Sequence, residues 1–154
     1  MKRSQVYFNL HKRLFSVQQS GKVYAHADGV LLENVRFNVS KAGQRKVRET
    51  GRKNVHARVS GYDPSTSSES FQGGVLNPDL VQWCRESMES LRDRGWRTAK
   101  YNPYENDTFI CWETGEPVHE ARKALMFMMD GFPVILYKMF DTLGSKDLYS
   151  NFSG

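Results

Sequence analysis

Positively charged side chains are concentrated between residues 36 and 58 of this 154-residue chain. From residue 41 to residue 58 there are seven Lys or Arg and one acid, Glu49. Ammonium and guanidinium groups bind phosphate oxygens through charge-assisted hydrogen bonds. Lys41, Arg45 and Arg48 follow one another at spacings of four and three, which would place them on one face of a helix. This stretch therefore predicts a surface that binds a polyanion, either a nucleic acid or a nucleotide.

Hydrogen-bonding residues accompany these cations. Arg36 and Asn38 lie on the polar side of one alternating segment, and Asn54, His56 and Arg58 lie on the polar side of another. If the two segments are neighbouring strands, one sheet face presents cations beside polar groups. Tyr7, Tyr24 and Tyr62 would add stacking surfaces for unpaired bases. The predicted polyanion-binding residues are Lys12, Arg13, Arg36, Lys41, Arg45, Arg48, Arg52, Lys53, Asn54, His56 and Arg58.

The charge of the whole chain is divided by position. Residues 1–60 hold thirteen Lys or Arg against three Asp or Glu, and residues 61–154 hold nine against fourteen. A basic surface also attracts an acidic protein. The first alternative function is therefore a non-enzymatic inhibitor that docks on an acidic surface of another protein. A solvated basic face without a partner is the remaining interpretation.

The histidines suggest a catalytic alternative. His11, His26 and His56 belong to the basic part, and two histidines beside a cation are sufficient for metal-independent phosphodiester cleavage. Their spacing alone does not bring them together, so no catalytic residue is assigned. His26 with Asp28 is at most a two-ligand fragment, and we predict no metal and no cofactor. The two cysteines, Cys84 and Cys111, are predicted to fill the core.

The basic part is predicted to be mostly strands. Alternation and turn signals indicate strands over 6–10, 14–17, 22–27 and 30–39, which together would form an antiparallel meander. Ser40 is a candidate N-cap for a short basic helix that reaches Thr50, and Gly51 would end it. Alternation resumes over 54–59. A loop rich in Ser and Gly is predicted over 62–76.

The acidic part begins with the clearest helix signal. Asn77 as N-cap and Pro78 at the first position predict a helix that continues to about Arg94. Strands are predicted over 96–101 and 108–112, and over 124–129 and 132–139 around the hairpin signal Asp130-Gly131. The last two strands are continuously apolar, which predicts a position in the centre of a sheet, with the helix as cover.

The elements together predict one α+β domain over residues 1–154. Its predicted parts are a basic part (1–61), the loop (62–76), an acidic part (77–140) and a polar tail (141–154). Its main element would be an antiparallel sheet with one long amphipathic helix and one short basic helix. The longest apolar run, 124–129, is too short to span a bilayer. The basic start has no apolar signal core after it, so a cytoplasmic protein is predicted. A homodimer through the last hairpin stays open.

Four short blocks carry a resemblance to a known group of proteins. They are YFNLHK at 7–12, RKNVHA at 52–57, YNPY at 101–104 and DTF at 107–109. These blocks resemble those of small cytoplasmic proteins encoded by tailed bacteriophages. The resemblance implies a small soluble product that works in the cytoplasm of the bacterial host. It also implies binding of nucleic acid, or host takeover and anti-defence by inhibition of a bacterial protein. No catalytic residue is carried over.

Overall fold

Strands dominate the computed structural model, which describes residues 3–9, 11–39, 57–64, 71–72, 74–102 and 108–139. The first five strands are β1 (Ser4–Asn9), β2 (Leu14–Gln19), β3 (Lys22–Ala27), β4 (Gly29–Val39) and β5 (Ala57–Tyr62). Two short strands follow, β6 (Phe71–Gln72) and β7 (Val75–Leu76). The helices are α1 (Pro78–Glu86) and α2 (Met88–Asp93). The remaining strands are β8 (Arg97–Asn102), β9 (Thr108–Cys111), β10 (Pro117–Val118), β11 (Glu120–Met129) and β12 (Phe132–Lys138).

All of these strands belong to one antiparallel sheet. Its main path runs β10-β9-β8-β12-β11-β4-β5-β1-β2-β3, and β7 pairs with both β6 and β4. Tight turns close the local hairpins with positive φ angles. Asp130 and Gly131 have φ of 52° and 82° between β11 and β12, as a two-residue hairpin turn requires. Ser20 and Gly21 do the same between β2 and β3, with φ of 51° and 80°.

One side of the sheet, the inner face, packs against itself. Val6, Val17 and Val59 lie in one cross-strand row of this face and are at most 2% exposed. The rings of Phe37 in β4 and Phe109 in β9 have centroids 5.0 Å apart, although three strands separate β4 from β9 along the sheet. Contacts between such distant strands require a strongly curled sheet. The larger hydrophobic core lies inside this curl.

The opposite side, the outer face, is covered by α1 over β4, β11 and β12. The Asn77 side chain caps α1 by accepting a hydrogen bond from the Leu80 backbone N–H at 2.9 Å. The Arg85 side chain ties the helix to the sheet, with Nε donating to the Met128 carbonyl oxygen at 2.7 Å. The second core consists of Leu31, Leu76, Leu80, Val81, Cys84, Leu91, Trp96, Leu125, Phe127 and Leu136. The predicted position of β11 and β12, inside the sheet under a helix, is confirmed.

Both cysteines are free and buried, as predicted. Burial raises the pKa of the Cys84 thiol to about 12. In the described part of the chain, no helix has the length and apolar character that a bilayer crossing needs.

The predicted α+β class is wrong. The described residues are mostly antiparallel sheet, with twelve strands and two short helices, and they include no long amphipathic helix. The helix predicted from Asn77 to Arg94 is interrupted at Ser87, whose φ of −111° and ψ of 20° leave the helical region. Its backbone N–H bonds to the Cys84 carbonyl, three residues back, which tightens and ends the turn. The predicted basic helix from Ser40 lies outside the described residues.

Two further expectations need correction. The strand β4 does not follow β3 in a meander, because β5, β1 and β2 lie between them in the sheet. Asp28, the residue between β3 and β4, is therefore the point where the chain passes from the edge of the sheet to its middle. Its carbonyl oxygen accepts a hydrogen bond from the Met128 backbone N–H at 2.9 Å. The predicted loop over 62–76 contains the end of β5 and the small strands β6 and β7. These two strands pair with each other, and Val75 of β7 pairs with Val30 of β4, which joins them to the sheet. Residues 65–70 and 73 of that loop are outside the described part.

Candidate nucleic-acid interface

The outer side of β5, β1, β2 and β3 is polar, and neither described helix covers it. We call this surface the open outer face. Strand alternation produces it, since Val6, Phe8 and Phe15 point inward while their neighbours point outward. Its polar members are Arg3, Gln5, Tyr7, Asn9, Ser16, Gln18, His26, Arg58, Ser60 and Tyr62, with Arg36 of β4 at its border, and the same registers add the apolar Leu14 and Val23. The four strands contain no Asp or Glu.

Arg58 and Tyr7 form the first contact of this face. The pairing of Val6 with Val59 sets β1 against β5 so that the next residues, Tyr7 and Arg58, are neighbours. The guanidinium carbon of Arg58 lies 5.4 Å from the centre of the Tyr7 ring, within the range of a cation–π interaction. Arg58 Nη1 also donates to Gln5 Oε1 at 2.9 Å.

Arg3 and Tyr62 form a second contact of the same kind. The guanidinium carbon of Arg3 lies 4.8 Å from the centre of the Tyr62 ring. Arg3 Nη2 donates to the carbonyl oxygens of Asn34 and Ser60, at 3.0 and 3.1 Å. The Asn34 carbonyl is available because a bulge between Glu33 and Arg36 interrupts the pairing of β4 with β5.

Polar groups continue across β2 to the edge strand β3. Gln18 Nε2 donates to Gln5 Oε1 at 2.8 Å. Ser16, which is completely buried, lies beneath its neighbours, and its Oγ accepts from Asn9 Nδ2 at 3.2 Å. The same oxygen lies 3.1 Å from Nδ1 of the exposed His26. The hydrogen bonds of the open outer face thus form three groups, which are Arg58–Gln5–Gln18, Arg3 with Ser60 and Asn34, and Asn9–Ser16–His26.

The structure places four of the predicted binding residues. Arg58 and Arg36 lie on the open outer face, and their strands are neighbours, which is the condition that the sequence left open. Arg36 Nε lies 3.9 Å from Glu120 Oε1, and both side chains are about two-thirds exposed (65% and 64%), so this ion pair is weak. Lys12 and Arg13 are exposed in the β1–β2 turn, where Asn9 Oδ1 accepts from the Lys12 backbone N–H at 3.1 Å.

The other predicted binding residues lie outside the described part of the chain. They are Lys41, Arg45, Arg48, Arg52, Lys53, Asn54 and His56. The last paired residues before and after this segment are Val39 and Ala57, which are partners of each other. Because Val6 pairs with Val59, Ala57 lies at the same end of the sheet as the β1–β2 turn. Val39 and Ala57, the described residues nearest to the basic segment in sequence, thus lie at the end of the sheet where Lys12 and Arg13 lie.

The histidines are not brought together in the described part of the chain. His11 lies in the β1–β2 turn. His26 lies on β3, where its side chain is hydrogen-bonded to Ser16 of β2, and His56 is outside the described residues. No group of three or more His, Cys, Asp or Glu that could hold a metal occurs among the described residues.

Sequence reasoning missed part of the face. Arg3, Gln5 and Gln18 were not predicted, although the alternation of Ser4–Asn9 indicates which side chains point outward. The pairing of β1 with β5 joins segments far apart in sequence, and no local signal reveals it. Tyr24 was predicted as a stacking residue, but its hydroxyl lies 3.3 Å from Oγ of the inward-pointing Ser4. It is turned away from the open outer face.

Comparison with known proteins gives a family. The chain belongs to the family described as the Mycobacterium phage L5 gene 82 protein, whose model matches residues 1–132. It is 32% identical over 123 residues to the gene 82 protein of Mycobacterium phage L5, and the match covers 73% of this chain and 79% of that protein. No solved structure matches it. The predicted resemblance to bacteriophage proteins is confirmed, and the relative's name states no ligand or activity.

Proposed function

We propose that this protein binds nucleic acid through the open outer face. The observation that carries the proposal is the connected set of Arg58, Tyr7 and Gln5 on a surface that no described helix covers. Arginine side chains bind phosphate, while amide and hydroxyl groups give orientation. The four strands of the face lack acidic residues, so nothing on them repels a phosphate backbone.

Arg36 and Arg58 are the described residues assigned to phosphate binding. The Arg36 side chain is 65% exposed, and the Arg58 guanidinium lies on the same side of the neighbouring strand. The β1–β2 turn adds Lys12 and Arg13 at the end of this face. The cations from Lys41 to Lys53 remain predictions from the sequence.

Fluorescence anisotropy with a labelled oligonucleotide tests this function. Each neutralised phosphate contributes about 0.7 to the log-log salt slope of single-strand binding, and about 0.9 for duplex DNA. We therefore expect Arg36→Ala with Arg58→Ala to weaken binding and to lower the slope by about 1.4 to 1.8. Arg97→Ala removes an exposed arginine from β8 in the other half of the sheet and is the matched control.

Two results would contradict the proposal. The first is an affinity that the double variant and the Arg97→Ala control change equally. The second is a protein that ignores oligonucleotides but retains an acidic bacterial protein after nuclease treatment of a lysate. That second outcome would support the inhibitor function instead. Reversal of Arg45 and Arg48 to Glu separately tests the sequence-based prediction.

A further inference from the structure

The two arginine–tyrosine contacts are reciprocal. Gln5 pairs with Ser60 at the centre of the β1–β5 ladder, and the contacts lie on either side of this pair. On one side, Arg58 of β5 lies over the Tyr7 ring of β1, and on the other, Arg3, the residue before β1, lies over the Tyr62 ring of β5. Tyr7 and Arg3 are four residues apart in the chain, which at 3.4 Å per residue of extended backbone is about 14 Å.

Hydrogen bonds fix both guanidinium groups. Arg58 donates to Gln5 Oε1, which also accepts from Gln18 Nε2. Arg3 donates to the Ser60 carbonyl at 3.1 Å and to its hydroxyl at 3.3 Å. A surface that is ordered before binding loses less conformational entropy when a ligand is bound. The face therefore carries two preorganised planar groups of ring and guanidinium.

We infer, on the basis of the proposed function, that the ligand is single-stranded nucleic acid and that two unpaired bases stack on the Arg58–Tyr7 and Arg3–Tyr62 contacts. Bases stack on both aromatic rings and arginine planes, but only where they are not already stacked in a duplex. Double-stranded DNA is read by an element that enters a groove. The described helices α1 and α2 both pack over the other half of the outer face, so no described helix projects from the open outer face to enter a groove.

The experiment compares one labelled single strand with its own duplex at constant salt. Two variants, Tyr7→Leu and Tyr62→Leu, each remove an aromatic ring and leave an apolar side chain. Their matched controls, Tyr7→Phe and Tyr62→Phe, keep the aromatic ring and lose only the hydroxyl group. We expect each Leu variant to weaken single-strand binding roughly 5- to 150-fold, the range that corresponds to one base–aromatic stack. The loss should be larger for the single strand than for its duplex, whose bases are already stacked, and the salt slope should change by less than one phosphate contact because Arg36 and Arg58 are retained.

A second measurement does not depend on the variants. A single strand that carries 5-iodouracil is irradiated in complex with the unmodified protein, and the cross-linked peptides are identified by mass spectrometry. We expect cross-links at Tyr7 or Tyr62. Cross-links confined to peptides of β8 to β12 would overturn the inference.

The outcomes separate this inference from the proposed function. Equal affinity for single strand and duplex, with Tyr→Leu variants unaffected and Arg58→Ala weakened, overturns the inference and leaves nucleic-acid binding in place. Absence of binding to every oligonucleotide overturns both. Preferential single-strand binding that falls with each ring removed supports both.

Discussion

The outer face of this sheet has two halves that differ in what covers them. Over β4, β11 and β12 the outward residues Leu31, Leu125 and Phe127 are completely buried beneath α1. Over β5, β1, β2 and β3 most outward residues are polar, with Leu14 and Val23 as apolar exceptions, and most are exposed or half-buried. The sequence difference is one of periodicity. Residues 123–128 of β11 are buried without interruption, whereas β1 alternates between buried and more exposed residues.

The comparison shows that cations occupy two different environments in this sheet, one buried and one exposed to solvent. Lys123 and Lys138 are opposite each other on β11 and β12, and they are only 2% and 1% exposed. Lys138 Nζ lies 5.7 Å from the centre of the Trp96 ring. Arg36 on the border of the open half has a side chain that is 65% exposed. The position of a cation in the sheet, rather than the charge of its sequence segment, decides whether it can meet a ligand.

The largest expected effect is a difference in how much a substitution in each half lowers the free energy of unfolding. Phe127→Ala removes a completely buried ring and should lower the free energy of unfolding by about 3–5 kcal/mol. Tyr7→Leu on the open half removes one cross-strand contact and should cost about 1 kcal/mol or less. Chemical denaturation measures both values. Similar losses for the two variants would mean that the open half is also core.

A smaller effect is expected for two asparagines that cap backbone groups in the two halves. Asn77→Ala removes the N-cap of α1 and should cost about 1 kcal/mol. Asn9→Ala removes the acceptor for the backbone N–H groups of His11 and Lys12, which are exposed and can bond to water instead. It also removes the donor to the buried Ser16 Oγ, which keeps its contact with His26 Nδ1. We expect a loss of roughly 0.5 kcal/mol there. A larger loss for Asn9→Ala would show that the β1–β2 turn organises the open half.

The smallest expected effect concerns a partly buried carboxylate at the end of β5. Burial raises the pKa of Asp63 above its ordinary value of 3.8, and its Oδ1 is buried without a hydrogen-bond partner among the described residues. The folded state therefore holds this proton more tightly than the unfolded state, and the charged form lowers stability. Asp63→Asn should raise the melting temperature at neutral pH. The gain should shrink as pH falls through the raised pKa and vanish below about 3.8.

Asp28 is the matched control for that pH series. Its Oδ2 lies 3.3 Å from Arg85 Nη2, so Asp28→Asn removes an ion pair between the β3–β4 crossing and α1. We expect a small decrease in melting temperature at neutral pH, the opposite sign to Asp63→Asn. Two variants that shift the melting temperature in the same direction would refute this assignment of the two carboxylates.

Local patterns in the sequence predicted some of these features and not others. The Asp130-Gly131 turn and the alternation around Arg58 depend on residues close together, and both are present in the structure. The pairing of β4 with β11 and of β1 with β5 depends on tertiary packing of distant segments, so periodicity could not reveal it. The break of the helix at Ser87 has no Pro or Gly to announce it.

The candidate site follows the same division. Arg36 and Arg58 could be predicted because each lies on the polar side of its own strand. The contact of Arg3 with Tyr62 could not, because it requires the β1–β5 register and the carbonyl that the bulge at Asn34 exposes. A single strand can show which side chains point outward, but only its neighbour decides which of them meet.

The pairing of the central strand β4 affects how the chain folds while it is being synthesised. One edge of β4 is paired with β5, and the other edge with β11, where Leu31 opposes Leu125 far downstream. Until β11 has left the ribosome, most of that second edge has no strand to bond to, and an unpaired edge is a template for association with another chain. Long-range pairing of this kind also slows folding. Nascent or truncated chains that end before Glu120 should therefore aggregate, and chaperones should bind them during synthesis.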